Sequence, residues 1–410
     1  MKSILILIFF FSVNCLSANT IVVGKDQPIH ALKRAVELAK NGDTILLKQG
    51  SYAEGNIVIG KSITLIGIGM PVLDGLQKNE ILTITGHNVT IKGIRFLNAG
   101  YSSMNDYAAL KIVDATNIRI EQNIIEKASF AIHIANSTFS TIRNNKIVGT
   151  NKSEHSSGNG IHLWKCGNMK IEGNSIQGHR DGIYFEFVTH STISKNVSEK
   201  NIRYGLHFMF SNDDAYLGNT FRNNGAGVAV MYTRNVRMEN NLFENNWGPS
   251  AYGILLKDIS DSHIKNNRFV ENTVAIHMEG SSRIMIEKNT FKANGWAFKV
   301  QASCDDNTFY KNNFFGNSFD IATNGDKSLN TFNNNYWDKY EAYDINRDGI
   351  GDKPYHPVSM YAMIVEQNPT TIMLMNSFMI KLLDKAEKAI PSLTPENLVD
   401  AAPMMKPNKL

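Results

Sequence analysis

Two groups of side chains in this sequence could hold metal ions. His207 and Met209 lie two residues apart in Gly205-Leu206-His207-Phe208-Met209, and Met231 ends the matching stretch Gly227-Val228-Ala229-Val230-Met231. A period of two puts His207 and Met209 on one face of a strand, and thioether with imidazole suits Cu(I). An apolar patch that docks a partner is the other reading of the same residues. The second group is Tyr343-Asp344-Ile345-Asn346-Arg347-Asp348-Gly349-Ile350-Gly351-Asp352. It follows the D-x-[DN]-x-[DN]-G start of a calcium loop, with Asp344, Asn346, Asp348 and Asp352 as oxygen donors. Position twelve is Tyr355 rather than Glu, so both a bound Ca²⁺ and a metal-free Asx-rich turn stay open.

A repeat must position these residues. A small residue leading an apolar alternation recurs at Ala109, Ala131, Gly160, Gly182, Gly205, Gly227, Gly253, Ala275 and Ala297. Between these lies an Asn, at Asn123, Asn145, Asn174, Asn196, Asn219, Asn241, Asn267, Asn289, Asn313 and Asn335. Most steps are 22 or 23 residues, the length of one coil of three short strands. Pairs such as Ile132/Ile134 and Leu206/Phe208 point inward, and stacked Asn amides form a ladder. The expected fold is all-β, a right-handed parallel β-helix of about eleven coils over residues 19–337.

From each small residue to the next Asn the count is 14 until the last coil, whereas the other segment varies. Insertions near 97–108, 149–159 and 246–252 therefore leave one edge of the solenoid, the usual mark of a working face. Beside that edge runs an outward column: Lys111, His133, His162, Tyr184, His207, Ala229, Leu255, His277 and Lys299. A second column holds Trp164, Glu186, Met209, Met231 and Lys257. His133, His162, Trp164, Tyr184 and Glu186 are the candidate partner-binding residues.

The ends carry different signals. Lys2, an apolar run from Ile4 to Val13 and then Asn14-Cys15-Leu16-Ser17-Ala18 read as an export signal over residues 1–18, with a lipid anchor on Cys15 the alternative. Residues 28–40 read as a short helix that caps the stack. Cys166 and Cys304 fall six repeats apart, about 29 Å at the spacing of stacked strands, so two half-buried free thiols are expected. Residues 338–410 form a tail, with the Asp-rich loop followed by an amphipathic helix over 370–390. Its Met375 and Met379 are further partner-binding candidates.

Composition narrows the function. A net charge of +4 in 410 residues, evenly spread, gives no sign of nucleic-acid binding. Glycoside hydrolysis needs two converging carboxylates, but Glu186 and Glu279 stand four coils or about 19 Å apart. Asp213-Asp214 and Asp305-Asp306 read as solvated loop acids. The chain is therefore not expected to be an enzyme, and a non-catalytic polysaccharide-binding β-helix using Trp164 and Tyr184 is the rival class.

The stretches RYGLHFMFSND (203–213), AGVAVMYTRNV (226–236), YDINRDGIGDKPYHPV (343–358) and LLDKAEKAIPSLTPENLVDAAPMM (382–405) resemble the NosD family of nitrous oxide reductase maturation proteins. The resemblance spans nearly the whole mature chain. It implies a periplasmic protein that works with the ABC transporter subunits NosF and NosY, associates with the membrane through that permease, and meets nitrous oxide reductase and a copper chaperone. It also implies a part in assembling the reductase's copper–sulfide centre, with transient Cu(I) as the metal handled.

Overall fold

In a computed structural model the described residues are 18–102, 106–150, 153–154, 157–325, 329–390 and 398–410. The export signal expected over residues 1–18, with Cys15, lies outside them up to residue 17. Three parallel sheets of 14, 13 and 12 strands wind around one another as a parallel β-helix of about thirteen turns. In one coil, Arg119–Glu121 belongs to sheet one, Ile124–Glu126 to sheet two and Phe130–Ala135 to sheet three. The coils number more than eleven because those before Leu97 carry neither repeat signature.

The Asn ladder explains why so short a repeat can turn a corner. From Gln122 onward, the chain passes between sheets one and two through one residue of positive φ per coil, such as Gln122 (56°) and Lys195 (54°). That conformation costs an L residue about 1–2 kcal/mol, and the buried Asn that follows offsets it with hydrogen bonds. Asn219 Nδ2 donates to Ile193 O (2.9 Å) and Asn241 Oδ1 (3.1 Å), and its backbone N–H donates to Asn241 Oδ1 (2.9 Å). Every corner amide thus has a partner within the core. The ladder passes through Asn312, not Asn313: Asn289 Nδ2 donates to Asn312 Oδ1 at 3.0 Å, whereas Asn313 exchanges bonds with Asn408. A second ladder, Asn201-Asn224-Asn246-Asn272-Asn294-Asn317, lines the corner between sheets two and three.

Alternation fills the cylinder with Ile, Leu and Val near its start and with stacked rings near its end. Phe243 and Phe269 stack at 4.7 Å, Phe291 and Phe314 at 5.0 Å, Phe314 and Trp337 at 4.0 Å. Such offset stacks add about 0.5–1.5 kcal/mol each beyond area burial. Cys166 and Cys304 are free, and they are buried rather than half-buried.

Both ends are closed. Helix α1 (Leu32–Leu38) is shorter than the expected 28–40 because Ala31 is extended. Its first N–H groups, on Leu32 and Lys33, reach the Glu54 carboxylate at 2.7 and 2.8 Å. Lys61 Nζ donates to the carbonyls of Val36, Glu37 and Ala39 at its other end. At the C-terminus α2 (Met360–Gln367), too short to show a period in sequence, packs Tyr361, Ala362 and Val365 against Trp296 and Phe319. The helix expected over 370–390 is two pieces, a 3₁₀ segment at Pro369–Leu374 and α3 at Phe378–Ala389. Asn376 breaks it at φ 70°, and Ser377 Oγ caps α3 by accepting from the Ile380 N–H.

Candidate functional site

The strands of sheet three carry the outward column in unbroken register. Lys111 pairs with His133, then follow His162, Tyr184, His207, Ala229, Leu255, His277 and Lys299. Two residues further along each strand, on the same face, Trp164, Glu186, Met209, Met231 and Lys257 form the second column. The insertions all connect sheet two to sheet three, so they do share one edge. Next to it a groove of about 880 Å³ is lined by Arg95, Tyr101, Glu126 and Val148.

The column is not an open solvent face. Aromatic residues three positions before column residues, Phe130, Tyr204, Tyr252 and Trp296, pack against His133, His207, His277 and Lys299, and His207 retains only 5% exposure. The rings run as a chain, His133 on His162 at 4.8 Å, His162 on Tyr184 at 4.8 Å and Tyr184 on His207 at 4.9 Å. Burial pushes the imidazole of His133 down and that of His162 down to about 3, with the charges of His133 and Arg180 adding to the second. Both rings are neutral at physiological pH.

His207 is fixed by a buried ionic cluster. Arg203 donates Nε to Asp181 Oδ1 at 2.9 Å and an Nη to Oδ2, and His207 Nδ1 lies 3.6 Å from the same Oδ2. Burial opposes ionisation of Asp181, but Arg203 and His207 outweigh it and hold the carboxyl below its usual range. The cluster leaves His207 Nε2 buried with no hydrogen-bond partner. Tyr184 Oη donates to Met209 Sδ at 3.5 Å, and Met209 faces Met231 directly across the ladder. Both methionines are half-buried. Sheet three thus brings together His207, Met209 and Met231, and joins to them His133, His162, Trp164, Tyr184 and Glu186.

The other expected residues lie apart, in the tail. Met375 packs against the Trp296/Phe319 cluster, whereas Met379 is 68% exposed. In the Asp-rich loop the oxygens turn to loop N–H groups: Asp344 accepts from Asp348 and Gly349, Asn346 from Asp348, and Asp352 from Ile345. Asp344, Asp348 and Asp352 are not, among the described residues, a group with ligand atoms within 4.8 Å of one another. Among the described residues, the one group of three His, Cys, Asp or Glu with ligand atoms within 4.8 Å of one another is Asp106, His133 and His162. Asp305 and Asp306 are exposed loop acids as expected, but Asp214 is buried and pushed up to about 8 by that burial.

Asp106, Asp181 and Arg203 have no counterpart in the reading of the repeat. Asp106 sits in an insertion with no period. Asp181 and Arg203 precede the small residues, where the repeat shows no constant type.

The family described as periplasmic copper-binding protein (NosD) matches residues 144–348, half of the chain. The chain belongs to the NosD family. His207, Met209 and Met231 all lie inside the matched segment. A NosD-family relative in Pseudomonas aeruginosa, named a probable ABC transporter binding protein NosD, is 27% identical over 386 residues, covering 88% of this chain and 87% of that one. One of the same name in Stutzerimonas stutzeri is 26% identical over 381 residues, covering 88% and 86%. Among solved structures, the catalytic domain of a GH87 α-1,3-glucanase aligns with a TM-score of 0.57 at 12% identity, over 78% of this chain and 69% of that one. A Yersinia enterocolitica family 28 exopolygalacturonase gives 0.55 at 10% identity, over 80% and 79%. These two share the fold with the NosD-family chain.

Proposed function

We propose that this chain is an accessory protein of nitrous oxide reductase maturation, receiving Cu(I) as cargo and helping to assemble the reductase's copper–sulfide centre. The observation that carries the reading is the register of Met209 against Met231 beside His207, whose Nε2 has no protein partner. Two thioethers and one imidazole are a soft set matched to Cu(I). They hold the cargo; none has an acid–base or nucleophilic task, and the chain is not an enzyme. The ring chain from His133 to His207 and the neighbouring loop edge, with Trp164 and Glu186, form the surface for the reductase or a copper chaperone.

The tail supplies the second contact. Phe378 is 81% exposed and Met373 86% exposed beside Met379, while Ile380 and Leu383 pack inward. We assign this apolar edge to the permease NosY, with the ATPase NosF driving the exchange of client. Among the described residues no helix is long and apolar enough to cross a membrane, and we assign the attachment to the permease contact. The chain would be exported by its first 18 residues and act in the periplasm.

A second reading has one observation of its own. Phe187, Phe210 and Tyr232 stack at 5.3 and 5.0 Å on the outside of the solenoid, each 40–45% exposed. Such an aromatic ridge suits a non-catalytic polysaccharide-binding surface. Cu(I) competition titrations and a soluble-polysaccharide binding screen decide between the two. Cu(I) binding lost in Met209→Ala/Met231→Ala supports the cargo site; unchanged Cu(I) binding together with polysaccharide binding supports the ridge.

A further inference from the structure

At the other end of the ring chain the donors are of another kind. His133 and His162 stand on adjacent strands in direct register, their rings 4.8 Å apart and inclined by 27°. Phe130 covers both at 6.0 and 5.8 Å, so they are shielded on one side by an apolar ring. His133 Nδ1 and both nitrogens of His162 are buried without a hydrogen-bond partner. Buried nitrogens left so are rare in folded proteins, and an ion is one of the accepted explanations. The third member, the exposed carboxylate of Asp106, comes from the first insertion and has its oxygen within 4.8 Å of the histidine nitrogens.

A stack of histidines made only for packing accounts for none of this. The same column accepts Ala229 and Leu255 two and three coils past Tyr184, so sheet three has no need of polar rings there. Packing also gives no reason for a carboxylate to approach two orphaned imidazoles from an irregular loop.

We propose that Asp106, His133 and His162 bind a divalent transition ion of the Zn²⁺ or Cu²⁺ class, which fastens the first insertion to sheet three. Two imidazoles and a carboxylate are donors of intermediate hardness, suited to such ions and poorly suited to Cu(I). Side-chain rotation brings atoms 4.8 Å apart to the ~3.3 Å separation that ligand bonds of about 2.0–2.1 Å imply for a tetrahedral ion. Three protein ligands leave a fourth position for water or for a group from a partner. The site is separate from His207, Met209 and Met231 in both donors and place. It stands whether or not those residues carry copper.

The test is titration of the full mature chain with Zn²⁺ alone by calorimetry, and with Cu²⁺ alone by electron paramagnetic resonance. One equivalent should bind, and the Cu²⁺ spectrum should show coupling to two nitrogens. Asp106→Asn, an exposed change that leaves the core intact, should weaken Zn²⁺ binding more than about tenfold, beyond the lower limit reached by outer-shell changes. His133→Gln with His162→Gln should remove both the bound equivalent and the nitrogen coupling, with an unaltered circular dichroism spectrum as the folding control. Zn²⁺ binding that survives Asp106→Asn and the double histidine change undiminished would overturn the site. So would a Cu²⁺ spectrum without nitrogen coupling, or a loss of Zn²⁺ binding in Met209→Ala/Met231→Ala.

Discussion

Asp400 occupies the place of the next asparagine beyond Asn335. Its Oδ2 accepts the Asn335 N–H at 3.1 Å and the Asn335 Nδ2 at 3.0 Å, and also the Trp337 Nε1–H at 3.0 Å. The last rung of a ladder begun at Asn123 is thus closed by a residue from the end of the tail. Terminal repeats of a solenoid have no neighbour on one side and need such a cap.

Asp400→Ala should therefore loosen the last coils. It leaves two buried donors of Asn335 and one of Trp337 unpaired, at about 1–3 kcal/mol for each unsatisfied group. Asp400→Asn keeps an accepting oxygen and should behave nearly as the parent. Hydrogen exchange should show faster exchange in residues 308–337 for the alanine variant alone, and equal exchange in both variants would argue against the cap.

Inside the stack the same logic predicts a larger loss. Asn219→Ala leaves the buried Asn196 N–H without its acceptor and removes the Asn219 Nδ2 bond to the Ile193 carbonyl, while Asn196 Nδ2 keeps the carbonyls of Ile171 and Ser194. A loss of about 3 kcal/mol or more is expected in denaturant unfolding. The exposed Asn223, changed to Ala, serves as the comparison on the same coil, and the two should differ clearly.

Asp214 predicts a dependence on pH. Burial raises its folded pKa to about 8, against 3.8 for an ordinary Asp, so the folded chain binds a proton that the unfolded chain releases. That stability is complete below pH ~4 and is lost as pH rises toward 8. Asparagine cannot ionise, and Asn307 shows that an amide fits this corner column. Asp214→Asn should raise the Tm relative to the parent by a margin that grows from pH 5 to pH 8; a margin independent of pH would contradict it.

The tail edge is testable without disturbing the core. Phe378→Asp with Met379→Asp changes two exposed positions, so the Tm should hold within about 1 °C, as surface substitutions do. Co-purification with the permease should fall at least tenfold. Retained co-purification would place the transporter contact elsewhere.

Much of this arrangement is legible in the sequence because a solenoid turns period into position. A fixed count from Gly205 to Asn219 and from Gly227 to Asn241 is enough to put His207 beside Ala229 and Met209 beside Met231. The second ladder was equally legible, since Asn201, Asn224 and Asn246 each stand five residues after Asn196, Asn219 and Asn241. Contacts made across the insertions are different. Asp106 meets His133 and His162 from a segment without period, and burial of the column depends on Phe130 and Tyr204 folding sideways, which no spacing encodes. The tail helix failed for a local reason. Its apolar spacing continues through Asn376, but that residue takes φ 70° and Ser377 starts a new helix. The Asp-rich motif is present in letters as far as Asp352 but not at Tyr355, and its oxygens accept from the loop's own N–H groups.

The copper content and visible spectrum of nitrous oxide reductase from a strain lacking this protein test the account most directly. That reductase should lack its copper–sulfide centre but keep its other copper centre, and the parent gene should restore the loss where one encoding Met209→Ala/Met231→Ala does not. A fully loaded, active reductase from the deletion strain would contradict it.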